Sequence, residues 1–291
     1  MARNNYIPIS VVIVTEFLRL DDLYRCLESL AEQQTSYEFE VLIVGHGEKD
    51  LNLQPWLEKS LAIEIIKVGE TNYCLKRNVG TRRAKGEIVA FIDDDTVLTS
   101  TWLNAIVNGF KTEWNCAGGR VEPLFEGEIP GDLRGYERYI GGFNRHPDIG
   151  YSTKTVIGCN MFLNRQWLLE IGGFDEDIGS WNADKWRYRG TIFGGDETDI
   201  MQKCTQNQIG FIPEAKLYHN IQKDRINFEY IFNRLNGIGR VMYYIDSKQG
   251  RKRFSFINKL IYRIKGFVIL KKRIYYKIFH EYVDGYLSGG R

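Results

Sequence analysis

Three adjacent carboxylates, Asp93, Asp94 and Asp95, directly follow the apolar run at residues 88–92. Like charges on adjacent residues repel each other, and no lysine or arginine is adjacent in the sequence. A bound divalent cation would relieve the repulsion, and so would a solvated turn in which Asp95 caps the next helix. Because side chains alternate along a strand, Asp93 and Asp95 can point to one side while Asp94 points away. With this spacing, one carboxylate can contact a nucleotide while the other coordinates an ion such as Mg²⁺, which also binds substrate phosphates.

A second acidic motif, GGDETDI at residues 194–200, offers a proton acceptor. A carboxylate beside an acceptor hydroxyl can act as the general base of a group transfer. The same residues also match a helix start, with Asp196 as the N-cap and Asp199 three residues later. From the residues alone, both interpretations remain open.

Alternating strands and helices must position these acids. Apolar, β-branched runs at residues 9–14, 41–44, 63–68 and 88–92 predict strands. Leucines at helical spacing after the first run, and the apolar face of residues 102–110, predict intervening helices. This α/β pattern predicts a Rossmann-like, mostly parallel sheet with helices on both faces.

The carboxyl ends of these predicted strands carry further polar residues. Thr15 and Glu16 follow the first strand, and His46 follows the second after Gly45. In open α/β sheets, ligands bind beyond the carboxyl ends of the strands. The acid run after the fourth strand therefore lies where a ligand is expected.

Length and composition limit the class of protein. The chain has 291 residues, 43% of them hydrophobic, enough for one large α/β domain with an extension or for two modest domains. Its five cysteines are scattered and never form a CxxC pair, which indicates free thiols in a reducing compartment and argues against structural zinc. The apolar run near the N-terminus is interpreted as a strand and not as a signal peptide. We therefore expect a cytoplasmic location.

The charge is distributed unevenly along the chain. Residues 1–247 carry 27 Lys and Arg against 35 Asp and Glu, whereas residues 248–280, here called the basic segment, carry 11 Lys and Arg and no acid. Apolar residues recur at helical spacing within the basic segment. This pattern favours peripheral binding to an anionic membrane surface, with packing of the apolar face on the body as the alternative. The acidic body argues against a nucleic-acid partner.

Five motifs, taken in order, resemble glycosyltransferase family 2. They are ISVVIVT, FEVLIVG, LKRNVGTRRAKGEIVAFIDDDT, GCNMFLNRQWLLEIGGFDE and GGDETDI. The resemblance covers residues 7–220 and implies the GT-A fold and an inverting, metal-dependent hexosyltransferase that uses a nucleotide-sugar donor. With the basic segment, it implies a glycan or lipid-linked acceptor, a role in polysaccharide biosynthesis, and a peripheral location at the inner face of the membrane.

On the donor side, the resemblance implies a role for a set of residues at the strand ends. Those implied to bind the nucleotide-sugar are Thr15, Glu16, His46, Arg77, Asn78, Asp93 and Asp94. Asp95 is implied to hold a Mn²⁺ or Mg²⁺ ion that bridges the diphosphate, with His219 completing the metal shell. The family's second strand usually ends in an acidic pair whose Asp holds the base or ribose. Because His46 stands there in this chain, the resemblance does not imply which nucleotide is bound.

On the acceptor side, the resemblance implies a base in the second acidic motif. The family's usual pair is Glu-Asp with the second acid as base, whereas this chain has the reverse order. Glu197 therefore occupies the base position, and Asp196 is the second candidate. Asp199, Trp181 and Trp186 are the expected acceptor contacts, although the two tryptophans could instead pack as core or lid.

The expected organisation is a catalytic domain followed by a C-terminal helical extension. The catalytic domain covers residues 1–222, with a nucleotide-sugar half at 1–110 and an acceptor half at 111–222, and the extension covers 223–291. Two other functions stay open. A nucleotidyltransferase would also use strand-end carboxylates, but residues 14–22 lack its usual glycine-rich phosphate loop. An inactive relative that binds a glycan or scaffolds a complex would explain the reversed acid pair.

Overall fold

The computed structural model describes residues 7–47, 51–141, 156–178, 194–251, 254, 261 and 273–289. Contacts divide these residues into two units. The first unit comprises residues 7–47, 51–124, 156–178 and 196–220, and the second comprises 125–141, 194–195, 221–251, 254, 261 and 273–289. The predicted functional boundary at residue 222 stays a prediction.

In the described residues, eight strands form one mixed sheet. The strands are β1 (Ile9–Thr15), β2 (Phe39–Gly45), β3 (Ala62–Lys67), β4 (Ile88–Asp93), β5 (Thr96–Leu98), β6 (Cys116–Phe125), β7 (Asn160–Asn164) and β8 (Ile209–Ile221). Their order is β3-β2-β1-β4-β7-β6-β8-β5. The predicted α/β class is confirmed. The expected parallel pairing is found in three pairs, β1–β2, β1–β4 and β2–β3. The pairs β4–β7, β6–β7 and β5–β8 are antiparallel.

Eight α-helices have bounds that lie within the described residues. They are α1 (Leu20–Ala31), α2 (Gln54–Glu58), α3 (Tyr73–Arg83), α4 (Trp102–Gly109), α5 (Arg165–Glu170), α6 (Asp196–Gln202), α7 (Phe228–Lys248) and α8 (Arg273–Ser288). Within that part, no helix combines the length and the apolar composition needed to cross a bilayer.

Alternation along β1 places helices on both faces of the sheet. Val11 and Ile13 pack in the same core cluster as Leu23 and Leu27 of α1. Val12 points to the other face, where its methyl groups lie so close to Gly80 of α3 that a β-carbon there would overlap them. Each residue of β1 is buried, as expected for a strand covered on both faces.

The strand order reverses between β1 and β4. The chain runs outward from β1 through β2 to β3, and β4 then returns to the opposite side of β1. Such a reversal of strand order is a topological switch point, where ligands bind beyond the carboxyl ends of the strands. Thr15 ends β1 beside Gly45 of β2, and Asp93 pairs with Val14. The switch point therefore lies at the acid run.

In the second unit, α7 and α8 pack with backbones in contact at Gly285. A β-carbon at Gly285 would overlap the backbone oxygen of Asn236, which is fully buried. We expect Gly285→Ala to lower the free energy of unfolding by about 1–3 kcal/mol or more, because overpacking forces the helices apart. Gly131→Ala is the matched control, since no described residue lies within 4 Å of its added carbon. Urea unfolding followed by circular dichroism checks the pair, and equal midpoints would contradict the close approach.

Candidate active site

Pairing of β5 with β8 brings a histidine to the acid run. Thr96 pairs with His219, so the imidazole reaches the turn that carries Asp95. Ligand atoms of Asp93, Asp95 and His219 all lie within 4.8 Å of one another, and Nε2 of His219 is 3.4 Å from Oδ1 of Asp95. Two carboxylates and an imidazole are a donor set that suits Mn²⁺ and related ions. The described residues thus fit the implied divalent cation.

Asp94 points away from this set, towards the end of β1. The hydroxyl of Thr15 donates a hydrogen bond of 2.6 Å to Oδ2 of Asp94 and accepts one of 2.8 Å from the amide of Phe17. Burial, together with repulsion from Asp95, raises the pKa of Asp94 to about 7. The hydrogen bond from Thr15 acts in the opposite direction and lowers this pKa. Thr15 and Asp94 therefore join the carboxyl ends of β1 and β4 across the switch point.

Arg19 supplies a positive charge that the sequence analysis did not identify. Its guanidinium lies 3.0 Å from Oδ2 of Asp95, 3.3 Å from Oδ1 of Asp94 and 3.5 Å from Oδ2 of Asp22. The repulsion within the acid run is thus offset by a residue more than seventy positions away in sequence. A basic residue at the end of β1, just before α1, was the signal that could have indicated it.

Arg77 contacts both acidic motifs. It is 5% exposed, its Nη1 forms an ion pair with Oδ2 of Asp196, and its Nη2 lies 3.9 Å from Oδ1 of Asp93. Nη2 also donates to the backbone oxygen of Gly158 at 3.5 Å. A single buried guanidinium therefore brings the second acidic motif to the first.

The second acidic motif forms the first turn of α6. Asp196 is the first residue of this helix and is buried against Arg77, whereas Glu197 is half-buried. The carboxylate of Asp199 is buried and forms an ion pair of 2.8 Å with Lys203. The acceptor role of Asp199 stays a prediction.

Two other predicted nucleotide-binding residues, Glu16 and Asn78, contact neighbouring parts of the chain. Lys76, whose side chain is fully buried, forms an ion pair with Glu16 and donates to the backbone oxygen of Thr15 at 2.9 Å. The amide of Asn78 bonds both backbone groups of Phe174 and the carboxylate of Glu176. Lys76 was missed because a lysine in a helix is usually solvated, and the resemblance implied roles only for its neighbours Arg77 and Asn78.

His46 lies at the carboxyl end of β2, next to the end of β1. Its Nδ1 is 3.1 Å from the backbone oxygen of Val68. A carbonyl can only accept, so Nδ1 carries the hydrogen of this bond. The nucleotide-binding role of His46 stays a prediction, and the two expected acceptor tryptophans, Trp181 and Trp186, lie outside the described residues.

Comparison with known sequences identifies relatives. A family model described as Glycosyl transferase family 2 matches residues 10–172. The glycosyltransferase AglE of Haloferax volcanii is 25% identical over 195 residues, which cover 65% of this chain and 63% of AglE. The chondroitin synthase of Pasteurella multocida is 32% identical over 216 residues, which cover 62% of this chain and 22% of the synthase. The chain thus spans less than two thirds of the length of either relative.

Comparison with solved structures shows the same fold in glycosyltransferases. Residues 1–349 of S. aureus TarS in complex with UDP-GlcNAc match with a TM-score of 0.57 at 13% identity, covering 98% of this chain and 91% of that one. The mannosyltransferase PcManGT from Pyrobaculum calidifontis, in complex with GDP-Man and Mn²⁺, matches with a TM-score of 0.57 at 15% identity, covering 98% and 73%. The predicted GT-A fold is confirmed.

Proposed function

Because the chain belongs to glycosyl transferase family 2, we propose that it moves a hexosyl group, with inversion, from a nucleotide-diphosphate sugar to a glycan or lipid-linked acceptor. One observation carries this proposal: the ligand atoms of Asp93, Asp95 and His219 converge within 4.8 Å at the sheet's switch point. The bound nucleotide-sugars of TarS and PcManGT support a donor of this class.

On the donor side, Asp95 and His219 would hold a Mn²⁺ or Mg²⁺ ion, and Asp93 would contact the nucleoside. Such an ion stabilises the charge of the departing diphosphate. The remaining donor-side residues are those at the ends of β1 and β2 and on α3, namely Thr15, Glu16, His46, Asn78 and Asp94. Arg77, which the resemblance places with them, forms an ion pair with Asp196 instead. Thr15 and Asp94 would keep the turn after β4 in place through their 2.6 Å hydrogen bond.

On the acceptor side, Glu197 would take the proton of the attacking hydroxyl. Its half-buried position in the first turn of α6 supports this role, because a base must reach a hydroxyl that arrives from outside. The ion pair of Asp196 with Arg77 supports the choice of Glu197 over Asp196.

A screen of nucleotide-sugars for hydrolysis tests the activity and identifies the donor. The purified chain is incubated with UDP-, GDP-, CDP- and dTDP-sugars in Mn²⁺, in Mg²⁺ and in EDTA. We expect release of a nucleoside diphosphate from one donor class, and less release in EDTA. Proton NMR of the product anomer then tests inversion. Release of pyrophosphate from a nucleoside triphosphate and a sugar phosphate would instead indicate a nucleotidyltransferase, and no turnover of any donor would favour the inactive relative.

Binding of the basic segment to a cytoplasmic, anionic membrane surface is a further part of the proposal. Eleven positive charges without an acid in residues 248–280 support it. Each charge near an anionic surface contributes about 1 kcal/mol, so neutralising five of them should abolish most vesicle binding. The variant replaces Lys252, Arg253, Lys259, Arg263 and Lys265 with Gln, and flotation on anionic vesicles compares it with the parent chain. Binding should weaken in high salt and on neutral vesicles, and equal flotation of the two proteins would contradict the proposal.

A further inference from the structure

We infer that Arg77 is a positioning residue that holds Asp196 as a paired carboxylate and so leaves Glu197 as the proton acceptor. The inference rests on the proposed function and adds a residue that decides between two neighbouring acids. Its starting observation is the ion pair between Nη1 of Arg77 and Oδ2 of Asp196, which joins α3 to α6. The residues are 119 positions apart in sequence, so local structure does not impose the contact.

Packing fixes the guanidinium of Arg77 in place. Its central carbon lies 5.9 Å from the ring centre of Phe91 and 5.6 Å from that of Phe174, and the two rings contact each other edge to face at 5.3 Å. With 5% of the residue exposed, little water reaches the charge. A buried cation needs a carboxylate partner, because an unpaired charge in such a site is strongly destabilising. Of the two carboxylates near Arg77, Asp196 forms the closer ion pair, whereas Asp93 lies 3.9 Å from Nη2, so Asp196 is the partner that is needed as an anion.

The same pairing makes Asp196 a poor proton acceptor. Protonation of its carboxylate would leave the guanidinium beside a neutral acid in a buried site. Glu197 differs in both respects, since it is half-buried and, within the described residues, no hydrogen bond or ion pair holds its carboxylate. The two adjacent acids thus have separate roles. Asp196 joins α6 to α3 through Arg77 and so positions Glu197, which is available for the acceptor hydroxyl.

Gly158 provides the space in which Arg77 and Glu197 face each other. A β-carbon at Gly158 would lie 3.0 Å from Nη2 of Arg77 and 3.7 Å from Oε2 of Glu197. Gly158→Ala would therefore press on the guanidinium without removing any charged group. This substitution shifts the guanidinium by a few tenths of an ångström and leaves both acids in the chain.

Steady-state kinetics with the donor identified by the screen test the inference. Arg77→Gln and Asp196→Asn should each lower kcat about 10-fold with the donor KM nearly unchanged, because the pair positions the base and does not bind the donor. The double variant should lose no more than about the same 10-fold, since both changes break one interaction. Arg77→Lys, which keeps the charge, should recover part of the rate. Arg83→Gln is the control, because Arg83 lies on the same helix as Arg77 and forms an exposed ion pair with Glu64 of β3. This variant should leave kcat unchanged.

Three results would overturn the inference while leaving the proposed function intact. A raised donor KM with unchanged kcat in Arg77→Gln would make Arg77 a donor contact. A lower melting temperature with unchanged kcat would make the pair structural only. A double variant that loses the product of the two single losses would show two independent roles. If Arg77→Gln does not fold, Gly158→Ala replaces it, and a smaller fall in kcat with an unchanged donor KM is expected. A parent chain that turns over no donor overturns the proposed function, and the inference falls with it.

Discussion

Glu197→Gln should lower kcat for sugar transfer about 10²–10⁴-fold while leaving the affinity for the donor nearly unchanged. The glutamine side chain has the same size and keeps an oxygen at the site, but it cannot accept the proton of the attacking hydroxyl. Because Glu197 lies on α6 and not among the residues around Asp95, its loss should leave the donor and metal groups in place. Single-turnover rates measured at saturating donor, with the donor dissociation constant determined by calorimetry, separate the two effects.

Asp196→Asn is the matched control for this prediction, because it makes the same chemical change at the adjacent position. It should cost about 10-fold in rate, well short of the loss in Glu197→Gln. It should also destabilise the protein more than the roughly 1 kcal/mol of a lost helix cap, since it breaks an ion pair with the buried Arg77. If Asp196→Asn instead shows the larger loss of rate, Asp196 is the base and Glu197 is not.

Asp95→Asn should weaken Mn²⁺-dependent binding of a nucleoside diphosphate by more than about 100-fold, since even residues that only support metal ligands contribute 10–100-fold. The substitution removes the negative charge beside Nε2 of His219 and the charge-assisted hydrogen bond that Arg19 donates to Oδ2. Calorimetric titration of the nucleoside diphosphate, with Mn²⁺ and with EDTA, measures the metal-dependent part of the affinity. Paramagnetic resonance of free Mn²⁺ measures ion binding without any donor.

Asp21→Asn is the control for the metal prediction. Asp21 is an exposed acid in the first turn of α1, so the variant has the same net charge as Asp95→Asn without touching the site. It should bind Mn²⁺ and nucleotide as the parent chain does. Parent-like Mn²⁺ and nucleotide binding by Asp95→Asn, with its fold retained by circular dichroism, would remove the metal role from the acid run.

Local sequence was sufficient to predict the four strands of the parallel half of the sheet. The β-branched runs predicted β1, β2, β3 and β4 to within about two residues. Three of them, β1, β2 and β4, are buried along almost their whole length, which requires continuous apolar side chains, whereas β3 is a partly exposed edge strand. The position of the acid run after β4 followed from the same pattern. Alternation along the chain also predicted that Asp93 and Asp95 share a side, in agreement with their convergence on His219.

Only the tertiary structure decided which charged side chains form ion pairs. Arg19 reaches Asp94 and Asp95, and Arg77 reaches Asp196, across separations of 75 to 119 residues. Such contacts depend on strand order, and the contact of His219 with Asp95 depends on the register of β5 against β8. A local pattern of residue types specifies neither. The sequence by itself thus determined the family, the parallel half of the sheet and the acids that could do chemistry. The folded chain determined their partners, because Coulombic interactions depend on distance in space, and the fold alone sets that distance.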